Sequence, residues 1–262
     1  MEFVIQQNLI NEDQLMLIKN AVKTIPHKFV SLIPFTHEII SDNELTGTDF
    51  IPYGSTLLTT VCKELGWKGL HFDLSTFNYQ AAVEHRRDML NDEHIFTVSE
   101  AIKFLSDEEQ HEQWFIRPSE DLKQFSGQVI EAKECVDWLT DAVSCNSSGT
   151  YNVTEDMMVV LAKPKLILAE WRWFVIDGKI IDGSMYRIRG KLVKHHETDV
   201  ELIQEAQELA DKWLPDPCCV MDLALVNDEL KVIEFNCINS SGMYGHDIKV
   251  IFKALYKYHH NG

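Results

Sequence analysis

Val232 to Gly242 reads VIEFNCINSSG, and it poses one question. Why does a strand-like segment carry a carboxylate at Glu234 and a carboxamide at Asn236? The flanking Val232, Ile233, Phe235 and Ile238 suit a buried strand. Residues two apart in a strand share a face, so Glu234 and Asn236 project side by side. Polar groups on a core-like strand are costly unless something pairs with them. A hard cation is one such partner, since Mg²⁺ takes oxygen ligands from one or two protein groups plus phosphate oxygens. On this pair alone, an amphipathic strand with a solvated face is the preferred reading.

The chain has 262 residues, enough for one large domain or two lobes with a sizeable core. Its 45% hydrophobic and 25% charged residues mark a globular chain. With 24 basic residues against 41 acidic ones, the net charge of −17 argues against nucleic acid as a partner. A small phosphorylated ligand needs only a local cationic cleft and stays open. The N-terminus MEFVIQQNLINEDQ has neither the basic nor the apolar region of a signal peptide. No apolar run approaches the roughly 20 residues of a membrane span, so no membrane partner is expected. Six cysteines without CxxC spacing read as reduced thiols of a cytoplasmic protein, and as neither a disulfide framework nor a zinc site. The adjacent His195 and His196 diverge as neighbouring side chains do and read as a surface loop.

Along the chain, Asn11 to Val22 predicts a helix, followed by strands in HKFVSLIPF and DFIPYGS. Gly54-Ser55 opens the helix TLLTTVCKELGW, either as an anion site or, preferably, as a plain N-cap. Thr97 to Glu100 is a capping box, and a boundary is placed near residue 95. Strand QWFIRP, helix EAKECVDWLTDAV and a polar loop follow, then strands MMVVLA and LILAEWRWFVI. Thr198 to Glu201 reads as a second capping box, and the chain closes on a hairpin and a helix. The class is α+β with antiparallel pairs.

Three segments carry candidate chemistry. In the last hairpin, an odd-numbered turn Asn227-Asp228-Glu229 would set Asp222 opposite Glu234 on one face. Two facing carboxylates and Asn236 then ask for a cation, unless the register differs by one. In the middle hairpin, a two-residue Asp177-Gly178 turn sets Arg172 opposite Gly183 and Glu170 opposite Met185. Glu170, Arg172 and Arg187, with Arg189 a further candidate, would share a face suited to phosphate or carboxylate oxygens. A cross-strand ion-pair ladder explains that face equally well. The third segment, Trp114 to Ile130, ends a strand at Arg117 and continues into a loop with Lys123, Ser126 and Gly127. A cation beside a flexible loop suits a lid over phosphates, although neither GxxxxGK[ST] nor GxGxxG is present.

Taken in order, FIRP with its Gly-containing loop, EWRWFVIDGKII and MDLALVNDELKVIEFNCINSSG resemble the ATP-grasp superfamily. The likeness is to a clade of small phage and bacterial members with Arg at the usual phosphate-binding lysine position. It covers residues 96–262, and residues 1–95 resemble the small α/β pre-ATP-grasp domain. The resemblance implies two α+β subdomains gripping ATP, with Mg²⁺ held by Asp222, Glu234 and Asn236. It implies phosphate contacts from Arg117 and Lys123, an adenine-contacting hinge at Leu161, Ala162 and Lys163, and Glu170 beside the nucleotide. Arg172 would stabilise the transferred phosphoryl group and Arg187 would hold phosphate or a substrate carboxylate. Asn239, Ser240, Ser241 and Gly242 would bind the acceptor. Arg replaces Lys at position 117, and the second phosphate cation has no fixed place, Glu84 to Arg87 being one candidate segment. The implied activity is an ATP-dependent carboxylate–amine or carboxylate–thiol ligase, forming ADP and phosphate through an acylphosphate. Its acceptor would be a small molecule, a peptide or a protein end. A phosphotransferase without ligation and a non-catalytic nucleotide-binding protein are the alternatives.

Overall fold

The computed structural model describes residues 1–8, 12–33, 36–42, 44–121, 124–146 and 153–261. The first unit contains β1 (Glu2–Gln6), α1 (Glu12–Ala21), β2 (His27–Leu32), β3 (Ile39–Ser41), β4 (Phe50–Tyr53) and α2 (Thr56–Glu64). Its sheet runs β3-β2-β1-β4, with β1 parallel to both β2 and β4. Parallel neighbours need a crossover, and α1 supplies the one from β1 to β2. As a central strand covered on both sides, β1 puts Phe3 and Ile5 into one core and Val4 into another. Ser55 is the plain cap: its Oγ accepts the Leu58 N–H at 3.3 Å.

Next come α3 (Tyr79–His85), β5 (His94–Thr97), α4 (Val98–Ser106), β6 (Gln113–Pro118), β7 (Gln128–Glu131), α5 (Ala132–Asn146) and β8 (Met158–Ala162). These strands form an antiparallel sheet β5-β8-β6-β7, backed by α4 and α5. The capping box at Thr97 and Glu100 is formed and starts α4. The third group is β9 (Ala169–Ile176), β10 (Lys179–Ile188), β11 (Lys191–His196), α6 (Val200–Ala210), β12 (Cys219–Val226), β13 (Glu229–Cys237) and α7 (Ile248–Asn261). Its antiparallel sheet runs β11-β10-β9-β12-β13. We propose the domain division near residue 95: β5 opens the middle sheet at His94, while Phe77, Tyr79 and Met89 just upstream already pack on the third sheet.

One face of the third sheet positions the site. Residues 170, 172, 174 and 176 of β9 share it, as do 218, 220 and 222 near β12 and 234, 236 and 238 around the end of β13. At one end it is apolar: Phe174, Ile176, Val220 and Ile238 pack under α7 and the first sheet. At the other end it carries Glu170, Arg172, Asp222 and Glu234. The opposite face holds Trp171, Trp173, Val175, Met221 and Phe235 in the core with α6 and α3.

Several expectations change in detail. The last hairpin turns at Asn227-Asp228, with φ of 52° and 63°, so Val226 pairs with Glu229. That mirror-image turn matches the twist of the strands better than the three-residue loop expected. A bulge then leaves Ile233 unpaired, because Leu223 pairs with Val232 and Asp222 with Glu234. The two departures cancel, and the expected pairing of Asp222 with Glu234 is formed. In the middle hairpin the Asp177-Gly178 turn is present, but two bulges in β10 move Arg172 opposite Ser184 and Glu170 opposite Arg187. Arg189 sits in the β10–β11 turn at φ 47°, off the shared face. His195 and His196 belong to β11 rather than a loop, because they pair with Met185 and Ser184 of β10, and His196 Nε2 also meets Asp182 at 2.8 Å. The cap of α6 is Asp199 rather than Thr198, since its carboxylate accepts the N–H groups of Glu201 and Leu202.

Gly183 pairs with the fully buried Trp173 across the middle hairpin. A Cβ there would lie 2.2 Å from the indole Cζ3. Gly183→Ala is therefore expected to lower stability by about 3 kcal/mol, the upper range for overpacking. Urea unfolding with an unchanged m-value checks this.

Candidate active site

A cleft of about 510 Å³ opens between the two antiparallel sheets. β6 contributes Arg117 and Phe115, the following loop Ser126 and Gly127, and the third sheet Glu170, Arg172, Arg187, Asp222 and Glu234. Its floor is a row across three strands, Arg172 beside Asp222 beside Glu234. Arg172 grips Asp222 bidentately, Nε to Oδ1 at 2.8 Å and Nη2 to Oδ2 at 2.7 Å. Asn236 Nδ2 lies 3.3 Å from Asp222 Oδ2 and 3.3 Å from Glu234 Oε1, between the two carboxylates. Arg117 reaches over from the other sheet and binds Glu234 Oε2 at 2.6 Å.

Electrostatics follow from that crowding. Burial pushes Glu234 up, but Arg117 and Arg172 outweigh it and hold the carboxyl below its ordinary value. At Asp222 burial is the larger influence, and it pushes the carboxyl up against the pull of Arg172. Burial works against the charge on Arg172, but Asp222 more than offsets this and the guanidinium stays protonated. Beside the row, Glu170 accepts from Tyr186 Oη at 2.9 Å and Arg187 Nη1 at 3.1 Å. Tyr244 stacks on Tyr186 and lies under Arg172, whose guanidinium is 4.8 Å from its ring centre.

The donor set fits a hard cation. Two carboxylates face each other, and an amide N–H donor, the nearest thing to positive charge on that side chain, lies between them. Turning the Asn236 carboxamide by 180° presents its oxygen to the same spot and completes three oxygen donors. These are the three metal candidates read from the sequence.

The other expected residues divide. Arg172, Arg187, Arg117 and Glu170 line the cleft, whereas Lys123 lies outside the described residues. Leu161 and Ala162 are fully buried in β8, and the Lys163 side chain turns away, paired with Glu112 and 3.5 Å over the Trp114 ring. The segment that borders the cleft comes next, at Pro164 and Lys165. Lys165, bound to Glu93 at 2.6 Å, is a cation the sequence reading passed over. Arg86, from the candidate cationic segment, is buried and committed to Asp88 and two carbonyls.

The expected acceptor loop needs correction. Asn239 is fully buried: its amide donates to the Pro52 and Gly69 carbonyls at 2.8 and 3.0 Å, and its oxygen accepts the His71 N–H at 2.8 Å. With both ends consumed, it fastens the first unit to the third sheet. Ser241 Oγ is likewise spent on the Cys237 carbonyl, and neither Ser240 nor Ser241 borders the cleft. Gly242 comes nearest, its carbonyl accepting from Arg172 Nη1 at 3.4 Å. Tyr186 and Tyr244 went unnoticed because lone tyrosines carry no spacing signal.

A family model described as ATP-grasp domain, R-to-K clade, family 3, matches residues 64–255. Among solved structures, the chain is similar to the D-cycloserine synthetase DcsG, with TM-score 0.65 and 10% identity over 99% of this chain and 100% of that one. An ATP-grasp RimK domain protein from Sphaerobacter thermophilus has TM-score 0.60 at 11% identity, covering 97% and 99%. The ATP-grasp ligase PsnB, complexed with a minimal precursor, has TM-score 0.56 at 13% identity, covering 98% of each chain. Such low identities speak to the fold. No curated protein matches the chain by sequence.

Asn239→Ala is expected to lower stability by about 3 kcal/mol or more, because it strands two carbonyls and an N–H in the interior. Nucleotide affinity of the folded protein should stay within about twofold of the parent, since RT ln 2 is only ~0.4 kcal/mol. Thermal melts alongside a nucleotide titration check both.

Proposed function

The chain belongs to the R-to-K clade of ATP-grasp domains, family 3, and on that premise we propose that it is an ATP-dependent ligase joining a carboxylate to an amine or thiol. One observation carries this reading: the 2.6 Å contact of Arg117 with Glu234 across the cleft, over the Asp222–Asn236 floor. Each partner neutralises the other, and each has a more highly charged partner in Mg²⁺·ATP. Glu234 would be free to hold a divalent cation in place of the guanidinium, and Arg117 to hold phosphate oxygens in place of the carboxylate. Binding then swaps partners and strands no buried charge.

In this reading Asp222, Glu234 and Asn236 hold Mg²⁺, and Arg117 and Lys165 bind phosphate oxygens. The main chain at Pro164 and Lys165, just past the expected hinge, borders the adenine. When bound, the metal neutralises phosphate charge as the γ-phosphoryl moves. Arg172 is fixed by Asp222 and Tyr244, so its remaining N–H groups are preorganised for the transferred group. Arg187 is partly exposed above Glu170 and suits a substrate carboxylate. The phosphoryl group passes to that carboxylate, ADP leaves, and the acceptor displaces phosphate from the acylphosphate. The acceptor approaches along Gly242 and Tyr244 at the end of the cleft. An amino acid, peptide or protein end is the proposed substrate class, supported by the precursor-bound ligase among the structural neighbours. Among the described residues no helix is long and apolar enough to cross a membrane. The cysteine usage supports a proposed cytoplasmic location.

Glu234→Gln keeps the shape of the strand but removes the charged anchor. It should fold and lose on the order of 10²-fold in turnover, the scale of one well-placed electrostatic group. Arg172→Ala differs, since it leaves Asp222 buried and unpaired at a cost of about 3–5 kcal/mol. The assay is ADP release with a candidate substrate library, with mass spectrometry of the product and a melting curve for each variant. Calorimetry showing no magnesium-dependent ATP binding overturns the reading, and ADP release without any amine or thiol turns it into phosphotransfer.

A further inference from the structure

Away from the cleft, His71, Asp216 and Cys218 meet where three parts of the chain join. A ring nitrogen of His71, a carboxylate oxygen of Asp216 and Sγ of Cys218 all lie within 4.8 Å of one another. His71 is 7% exposed and Cys218 fully buried, so this is an interior cluster and not a solvated acidic patch. Asp216 Oδ1 is 2.8 Å from His71 Nδ1 and also accepts the Cys218 N–H at 2.8 Å. On the far side of the ring, His71 Nε2 faces His259 Nε2, from the last turns of α7, at 3.0 Å. None of these residues lines the cleft.

Two proton arrangements satisfy the imidazole pair. In one, His71 donates from Nδ1 to Asp216 and accepts from His259. In the other, His71 donates from Nε2 to His259, and its Nδ1 lone pair faces the Asp216 carboxylate near the Cys218 sulfur. That second arrangement brings together one nitrogen, one oxygen and one sulfur donor, and it is favourable only with a cation among them. It also reproduces a known feature of metal-bound histidine, whose other ring nitrogen donates to a fixed acceptor. Nitrogen and thiolate donors favour zinc and its neighbours over the hard, oxygen-seeking magnesium.

We propose that His71 Nδ1, Asp216 and Cys218 form a second metal site for a zinc-type divalent cation, with His259 positioning the His71 ring. Water completes four-coordination. Cys218 loses its proton to solvent as the metal–sulfur bond forms. The site links segments far apart in sequence. His71 lies just beyond the first unit and donates its backbone N–H to Asn239, Asp216 and Cys218 lead into β12, and His259 lies in the last turn of α7. A bound cation therefore fastens the first unit and α7 to the third sheet.

The test uses the full chain, stripped with a chelator and titrated with Co²⁺ in excess Mg²⁺, which occupies the oxygen-ligand site. One equivalent of Co²⁺ should give a thiolate-to-cobalt charge-transfer band that Zn²⁺ abolishes by displacement. Zn²⁺ at about a hundredfold excess over Kd should raise Tm by on the order of 5 °C. Cys218→Ser should lose the band while folding normally. Asp216→Asn, at a partly exposed position, should weaken Co²⁺ binding at least tenfold even if Cys218→Ser does not fold. His260→Ala, beside the N-terminal amine, should leave the band and the Co²⁺ affinity unchanged. No thiolate band in the folded parent, a band that survives in Cys218→Ser, or full affinity in Asp216→Asn would each overturn the proposal and leave a hydrogen-bonded chain of side chains.

Discussion

Two carboxylates forced side by side on a buried sheet face are the constraint on which the rest of the structure depends. Asp222 and Glu234 are direct cross-strand neighbours, and Asp222 is 2% exposed. Like charges so placed repel, and the burial of Asp222 leaves little water to screen them. Arg172 answers from the same sheet with a bidentate grip, Arg117 answers from the facing sheet, and Asn236 donates between the acids. Three of these five residues come from the hairpin of β12 and β13, one from β9 and one from β6. The charge balance of the floor is thus complete only when the two lobes face each other.

The same sheet face explains the architecture around that row. Phe174, Ile176, Val220 and Ile238 continue the strands that carry Arg172, Asp222 and Asn236, and they need an apolar cover. The first unit and α7 supply it. The polar half, which an apolar cover would penalise heavily, faces the other lobe across the cleft instead. Asn239 follows Ile238 at the apolar end and spends its side chain on fastening the first unit. A residue that reads as ligand-binding by its place after the polar strand is therefore the fixing point of the interdomain contact.

Irregularities in the strands serve the site. The bulge at Ile233 restores the Asp222–Glu234 pairing that the tight Asn227-Asp228 turn would otherwise shift by one residue. The bulge near Tyr186 sets Arg187 opposite Glu170, and Tyr186 reaches the same carboxylate. Bulges add one residue, re-aim a side chain and increase the local twist. Here they let the tightest hairpin turns coexist with the pairing that the charged row requires.

The sequence by itself determined the class, the main hairpins, the capping box at Thr97 and the shared face of Glu234 and Asn236. Those features are local: strand alternation, turn chemistry and caps act over a few residues, and the resemblance to the ATP-grasp superfamily rests on motifs built from them. Registers and partners across long separations were decided only in the tertiary structure. A bulge leaves no reliable mark in the pattern of apolar residues, so the three-residue turn expected between β12 and β13 and the pairing of Arg172 with Gly183 both shifted. Nothing near Arg117 in sequence announces Glu234, 117 positions later. The polar atoms of Asn239 look the same whether they meet a ligand or the Pro52 and Gly69 carbonyls. Only packing chooses between these, because a buried polar group takes whichever partner the fold brings within hydrogen-bonding distance.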